Sequence, residues 1–351
     1  MRNIRVLIVD DSPTVCSVFR RGLSRAEGIE VIGVAPDPFV ARDMIVKDPP
    51  DVVTLDIEMP RMDGLTFLRK LMKHFPLPVV VVSTLTQDGS AKAVEALASG
   101  AVEVVGKTMD DDKLEGLMLT LVQKVRAASQ ASVGARSFRA TTRRPQIVAD
   151  PLPNLGTPGR HIVACGSSTG GTEALAALMS RLPADTPGMV LVQHIPPGFT
   201  AQMAARLDGL SAMTVREARD GDVLAPGLAL VSPGDVHMLV HRNGGGYRVE
   251  LRDGPRVGRH KPAVDVLFRS VARAAGADAV GALLTGMGKD GAAGMLEMHQ
   301  AGAWTIAQDE QSSVVWGMPR AAYEMGAATE VVALDRIAER ICHGLKAPVV
   351  V

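Results

Sequence analysis

Short apolar runs, each closed by a polar residue or glycine and followed by a helical pattern, recur along most of this chain. Val6-Leu7-Ile8-Val9, Val31-Ile32-Gly33-Val34, Val52-Val53-Thr54-Leu55, Val79-Val80-Val81-Val82 and Val102-Glu103-Val104-Val105 are the first five. Predominantly aliphatic runs of this length read as strands buried on both faces. Strands joined by helices must lie parallel, because a parallel pair needs a crossover connection. Helical patterns fall near 13–26, 37–47, 65–74, 89–99 and 111–127. Residues 1–127 are therefore expected to form a doubly wound (βα)5 sheet. The pattern resumes at Ile162–Cys165, Met189–Gln193, Thr214–Glu217, Leu228–Val231, Ala279–Leu284 and Thr305–Ala307, with helices near 172–181, 200–207, 264–275, 291–300, 317–325 and 334–343. His237–His241 and Tyr247–Leu251, separated by Asn243-Gly244-Gly245-Gly246, predict a hairpin. Residues 159–351 thus read as a second, larger α/β domain. Only 3% of residues are aromatic, while Gly (35) and Met (17) are plentiful, which suits layers packed with aliphatic side chains.

Between the two patterns, 128–158 reads as a flexible basic linker. Arg126 to Arg160 holds six arginines against one acid, Asp150, with scattered Ser, Ala, Thr and Pro. Across the whole chain the charges balance, 38 basic against 38 acidic. No global field points to nucleic acid or an anionic membrane. Cys16, Cys165 and Cys342 are odd in number and lack metal-ligand spacing, so core thiols in a reduced cytoplasmic chain are expected. The apolar run at the start is too short for a signal peptide. No stretch of about 18 apolar residues predicts a membrane span.

Ligands of parallel sheets sit beyond the carboxyl ends of the strands. In the first domain those ends carry Asp10 and Asp11, Asp56, Ser83 with Thr84, and Lys107. Three carboxylates at one sheet edge repel one another unless a cation binds, and oxygen ligands of this kind suit Mg²⁺. Asp11 taken alone also reads as a helix N-cap. The constellation resembles the receiver domain of bacterial response regulators. That resemblance implies that Asp56 accepts a phosphoryl group from a histidine kinase. It implies further that Asp10, Asp11 and Asp56 hold Mg²⁺, that Ser83 is the switch hydroxyl, and that Lys107 pairs with the phosphate. Met59-Pro60-Arg61-Met62-Asp63-Gly64 matches the loop after the phosphoacceptor. Two positions depart from the pattern: Thr108 follows the lysine in place of proline, and Val104 stands where an aromatic residue is frequent.

In the second domain, His161–Leu175 reads as strand, glycine turn and helix. Gly166-Ser167-Ser168-Thr169-Gly170 fits G-x-S-x-G, with Ser168 at its centre. A turn of this kind suits a phosphate cradle as well as a serine nucleophile. A nucleophilic serine needs a base, and the base needs an acid to fix its tautomer. Gln193-His194 and Gly288-Lys289-Asp290 close two other strands, so a parallel sheet can bring His194 and Asp290 to Ser168. The order Ser, His, Asp differs from that of α/β-hydrolases. His237 and His241 lie in a strand pattern without H-E-x-x-H, which argues against zinc. His161, His260, His299 and His343 read first as surface or helix-end residues.

These segments, with Gln193-His194-Ile195-Pro196-Pro197-Gly198-Phe199-Thr200, Thr285-Gly286-Met287-Gly288-Lys289-Asp290-Gly291 and Ser313-Val314-Val315-Trp316-Gly317-Met318-Pro319, resemble the chemotaxis protein-glutamate methylesterase (CheB) family nearly throughout. The resemblance implies a triad of Ser168, His194 and Asp290 and an oxyanion site near Thr169 and Met287. It implies, as partners, the methylated cytoplasmic helices of chemoreceptors, with some glutamines also deamidated. No cofactor is expected in the esterase site, and neither nucleic-acid binding nor membrane insertion is expected. Ser167 stands where many members carry alanine, which sets two hydroxyls side by side. A DNA-binding output would need a small basic helix-turn-helix, whereas 159–351 is nearly neutral. A nucleotide-binding output would need the P-loop lysine, which the Gly166–Gly171 turn lacks.

Overall fold

The computed structural model describes residues 2–84, 86–108, 110–131 and 160–346, with Gln87 and 111–113 described by backbone alone. Most of the expected linker, from 132 on, lies outside these residues. The chain divides into two compact units on either side of that stretch.

The first unit alternates β1 (Ile4–Val9), α1 (Pro13–Ser24), β2 (Ile29–Ala35), α2 (Pro38–Lys47), β3 (Val52–Asp56), α3 (Gly64–His74), β4 (Val79–Thr84), α4 (Gln87–Ala98), β5 (Glu103–Lys107) and α5 (Asp111–Ala128). The sheet order is β2-β1-β3-β4-β5, and every pairing is parallel. β3 is buried at every position, including Thr54 and Asp56, as a central strand of a parallel sheet covered on both faces requires. Each of the first four helices is capped by a side chain from its own turn: Ser12, Asp37, Asp63 and Thr86 accept from first-turn amides. Ser12, not Asp11, therefore caps α1, and Asp11 is left exposed at the sheet edge.

The second unit contains β6 (Ile162–Ser167), α6 (Gly171–Met179), β7 (Met189–Gln193), α7 (Thr200–Leu210), β8 (Thr214–Glu217), β9 (Leu228–Val231), β10 (His237–Asn243), β11 (Gly246–Arg252), α8 (Val264–Ala275), β12 (Ala279–Leu283), α9 (Ala292–Gln300), β13 (Trp304–Gln308), α10 (Met318–Glu324), β14 (Glu330–Val332) and α11 (Leu334–Gly344). Seven strands form one parallel sheet, β14-β13-β12-β6-β7-β9-β8. β10 and β11 form the expected hairpin, with Asn243 paired to Gly246. Its inner face carries Met238, Val240, Tyr247 and Val249 into the core shared with α8. β14 has only three residues and no apolar run long enough to mark it in the sequence. From β6 the chain goes to β7 on one side and later to β12 on the other. That reversal opens a crevice at the carboxyl ends of the three central strands. Among the described residues no helix is long and apolar enough to cross a membrane.

Candidate active site

β6, β7 and β12 are neighbours, so Ser168, His194 and Asp290, which follow them, come to one edge of the sheet. The Ser168 amide donates across to Thr285 O (3.0 Å), and the His194 amide to Ser167 O (3.1 Å). Gly170 then adopts φ of 75°, a left-handed geometry that turns the chain straight into α6. Gly286 also packs closely, since a Cβ there would lie 2.3 Å from Met318 Sδ and 2.7 Å from Ser168 Cβ.

His194 Nε2 lies 2.8 Å from Asp290 Oδ2. Asp290 also accepts the amides of Val264 (2.8 Å) and Asp265 (3.0 Å), so it caps α8 from a distant segment. Burial pushes the Asp290 carboxyl up, but the His194 contact and the two amides outweigh it and hold the carboxyl below its ordinary value. Asp265 answers by accepting the Gly291 (3.0 Å) and Gly294 (2.7 Å) amides at the start of α9. Its carboxyl is raised, chiefly by burial and further by the charge of Asp290. Asp265 in the first turn of α8 and Asp290 just before α9 thus each serve the N-terminus of the other's helix. His194 Nδ1 is buried and makes no hydrogen bond among the described residues. An orphaned ring nitrogen in a buried site calls for an explanation.

The two adjacent serines differ. Ser167 is fully buried, and its hydroxyl donates to Gln193 Oε1 (2.6 Å). Gln193 Nε2 in turn donates to Ser168 O (2.8 Å) and His194 O (3.2 Å), tying the two loops together. Ser168 is 5% exposed, and no hydrogen bond from its hydroxyl is formed among the described residues.

In the first unit, Lys107 Nζ lies 2.9 Å from both Asp10 Oδ2 and Asp56 Oδ2. One oxygen each of Asp10, Asp11 and Asp56 lies within 4.8 Å of the others. Burial raises the Asp56 carboxyl and Asp10 raises it further, against the pull of Lys107. A cluster that stays short of positive charge beside a lysine fits a hard divalent cation. Ser83, fully buried, donates its hydroxyl to Gly89 O (3.0 Å).

Comparison with known proteins decides the family. The CheB methylesterase profile matches residues 163–341, and the response regulator receiver domain profile matches 6–118. A protein-glutamate methylesterase/protein-glutamine glutaminase of Syntrophus aciditrophicus is 50% identical over 343 residues, 97% of this chain and 99% of that one. One from Sulfurimonas denitrificans is 50% identical over 342 residues, 96% of this chain and 97% of its own. The chain belongs to the CheB methylesterase family. The crystal structure of the Thermotoga maritima CheB methylesterase catalytic domain is 37% identical, covers 53% of this chain and 99% of that one, and superposes with a TM-score of 0.52.

Within this CheB fold, three residues outside the expected set adjoin the crevice. Asp265 braces Asp290 as described. His237 bridges a loop: its Nε2 lies 3.0 Å from Pro255 O and its Nδ1 accepts from the Ala263 amide (3.3 Å). His260 is half-buried, and its ring stacks on His194 with centroids 3.8 Å apart and planes 4° from parallel. The expectation that His260 is a surface residue is corrected by that contact. No periodic pattern in the sequence marks a loop that folds back onto the site.

Proposed function

We propose that Ser168, His194 and Asp290 are the hydrolytic centre of this receiver-linked protein-glutamate methylesterase and glutaminase. The observation that carries the reading is the buried Nδ1 of His194, without a hydrogen-bond partner among the described residues, opposite a ring nitrogen committed to Asp290. A carboxyl held below its ordinary value is an anion at neutral pH, so Nε2 must carry the ring proton. Nδ1 then keeps its lone pair and is the base. It removes the Ser168 proton as Oγ attacks the ester carbonyl. The proton then passes to the departing methoxide, which leaves as methanol, or to the side-chain amide nitrogen of a glutamine, which leaves as ammonia. Water, deprotonated by the same nitrogen, cleaves the acyl-serine to a free glutamate.

Two amides are suited to the oxyanion. Ser168 O is occupied by the Gly171 amide (2.7 Å) and Gln193, so the N–H of the same trans peptide, that of Thr169, points the other way. Gly286 O is occupied by the Gly317 (3.1 Å) and Met318 (2.8 Å) amides, which turns the Met287 N–H away from α10. The substrates we assign are methylated glutamates, and selected glutamines, on cytoplasmic helices of chemoreceptors, so the place of action is the cytoplasm.

We assign the receiver to 1–127, the linker to 128–158 and the catalytic domain to 159–351. Asp56 is the acceptor of a phosphoryl group from a histidine kinase, with Lys107 and Ser83 as its switch partners. Mg²⁺ held by Asp10, Asp11 and Asp56 would supply positive charge to the phosphoryl oxygens. The esterase centre uses side chains and amides alone.

A fluorophosphonate probe tests the core of this reading. It should label Ser168 in the full chain, and label neither the Ser168→Ala nor the His194→Ala chain at a measurable rate. Labelling at Ser167, or none at all, would overturn it.

A further inference from the structure

We infer that His260 is a positioning residue for His194, holding the base's ring in plane by stacking. The inference rests on the Ser168–His194–Asp290 reading and goes beyond it. A catalytic imidazole must be fixed in two directions, since it has to meet the serine along one axis and the acid along another. In the familiar serine triad both ring nitrogens are hydrogen-bonded and share that task. Here the Nε2–Asp290 bond fixes one point of the ring. Nδ1 is buried without a hydrogen bond among the described residues and fixes nothing. With one point held, the ring is still free to swivel about the line from Cβ to Asp290. The face of His260, 3.8 Å away and 4° from parallel, lies where it restrains this swivel. A flat partner at stacking distance resists rotation out of the shared plane while leaving both nitrogens at the ring edge clear.

The loop that carries His260 is built to hold still. Val257 and His260 exchange two backbone hydrogen bonds, at 3.0 and 2.9 Å. Between them Gly258 and Arg259 both adopt left-handed φ, of 57° and 76°. That is the tight two-residue reversal of a type I′ turn, which a non-glycine residue such as Arg259 enters only when its surroundings require it. The two ends of the wider loop are pinned by one buried side chain, His237, through Pro255 O and the Ala263 amide. The next residue, Val264, gives its amide to Asp290. Acid, base and stacking ring are therefore tied to one short segment, 255–265. His260 sits too far from the nucleophile's own strand to be inferred from local pattern, and it enters the site only through this fold.

The test compares the full chain with its His260→Ala, His260→Phe and His260→Gln variants. Two quantities are read: the rate of fluorophosphonate labelling at Ser168, and kcat and KM for methanol release from a peptide bearing a glutamate γ-methyl ester. Stacking predicts that His260→Ala lowers the labelling rate and kcat by about 10- to 100-fold, the range in which a misplaced catalytic group acts. KM should change little. Phenylalanine keeps a flat face and should recover most of the loss, whereas glutamine, polar but not a ring, should not. Parental rates in His260→Ala would overturn the inference, and so would a phenylalanine variant no better than alanine. A rise in KM with kcat unchanged would also overturn it, by making His260 a substrate contact. A parental chain that fails to label overturns the Ser168 reading and this inference with it. A labelled parental chain with an indifferent His260 overturns this inference alone.

Discussion

Asp56 and Asp290 occupy equivalent places in two sheets: each follows or closes a buried parallel strand at its carboxyl edge, and they are 4% and 5% exposed. Their carboxyls nevertheless move in opposite directions, Asp56 up and Asp290 down. Burial acts on both in the same sense, and in both it is the largest influence. What differs is the company. Asp290 accepts from an imidazole and from two helix N-terminal amides, all within 3.0 Å. Asp56 shares one lysine with Asp10 and has only a long contact from the Glu58 amide, at 3.4 Å. One edge is finished, with its negative charge fully solvated by protein dipoles. The other is left open, with a charge deficit that a cation and a phosphoryl group can use. The first arrangement suits a fixed catalytic orienter, the second a reversible acceptor.

The finished edge should fail steeply when broken. Ser168→Ala should reduce ester hydrolysis on the order of 10⁶-fold, with the fold retained in a thermal melt, because triad members act as a unit. Asp290→Asn should cost about 10⁴-fold. An amide can present its NH₂ to Nε2 and push the ring proton onto Nδ1, which removes the lone pair that the mechanism needs. If Asp290→Asn stayed within tenfold of the parent in kcat, the base would not be Nδ1.

Smaller losses should mark the oxyanion site. Gly286→Ala drives a methyl group against Met318 Sδ and Ser168 Cβ, 2.3 and 2.7 Å from where it would sit, and should displace the adjoining Met287 amide. Losing one such donor costs about 10²–10³ in rate. Met287→Ala keeps the backbone and should cost far less. Equal kcat in the two variants would remove Met287 from the site.

The open edge should break differently. Asp56→Asn should leave basal hydrolysis in place and abolish its stimulation by acetyl phosphate with Mg²⁺. Stimulation that survives this change would move the acceptor elsewhere.

How much of this was legible beforehand follows from the kind of contact involved. The strands could be read because β3, β4, β6 and β12 are buried on both faces and so are dominated by apolar residues. Ser168, His194 and Asp290 could be paired because they end strands that a parallel sheet must bring to one edge. Three short residues of β14 carry no such signal. Nor does anything local couple His260 to His194, or His237 to the loop it pins. Those contacts join segments with no shared periodicity and arise only from the tertiary fold. The two hydroxyls at 167 and 168 are separated in role by Gln193, whose side chain the sequence marks only as the end of a strand.

The smallest expected effect lies in the pH dependence of stability, and there the two aspartates should differ in sign. Asp290 is depressed in the folded chain, so its contribution is present above the ordinary carboxyl value and is lost as pH falls through its lower, folded value. Asp56 is raised, so ionising it opposes folding: its contribution is full below the ordinary carboxyl value and is lost as pH rises through its higher, folded value. In magnesium-free buffer containing chelator, Asp56's part of the receiver melt should therefore rise as pH is lowered through that raised value toward the ordinary carboxyl value, while Asp290's part of the catalytic-domain melt holds until the pH drops below the ordinary carboxyl range. Asp56→Asn should flatten the first trend and leave the second. Asp290→Asn should do the reverse, weakening the acid sensitivity of the catalytic domain because the group that must be protonated is gone. Melts followed separately for the two units, each taken as the difference between parent and its asparagine variant so that the raised Asp265 cancels, would decide it: differences of the same sign in both would mean that burial, rather than the donors around each carboxyl, sets their ionisation.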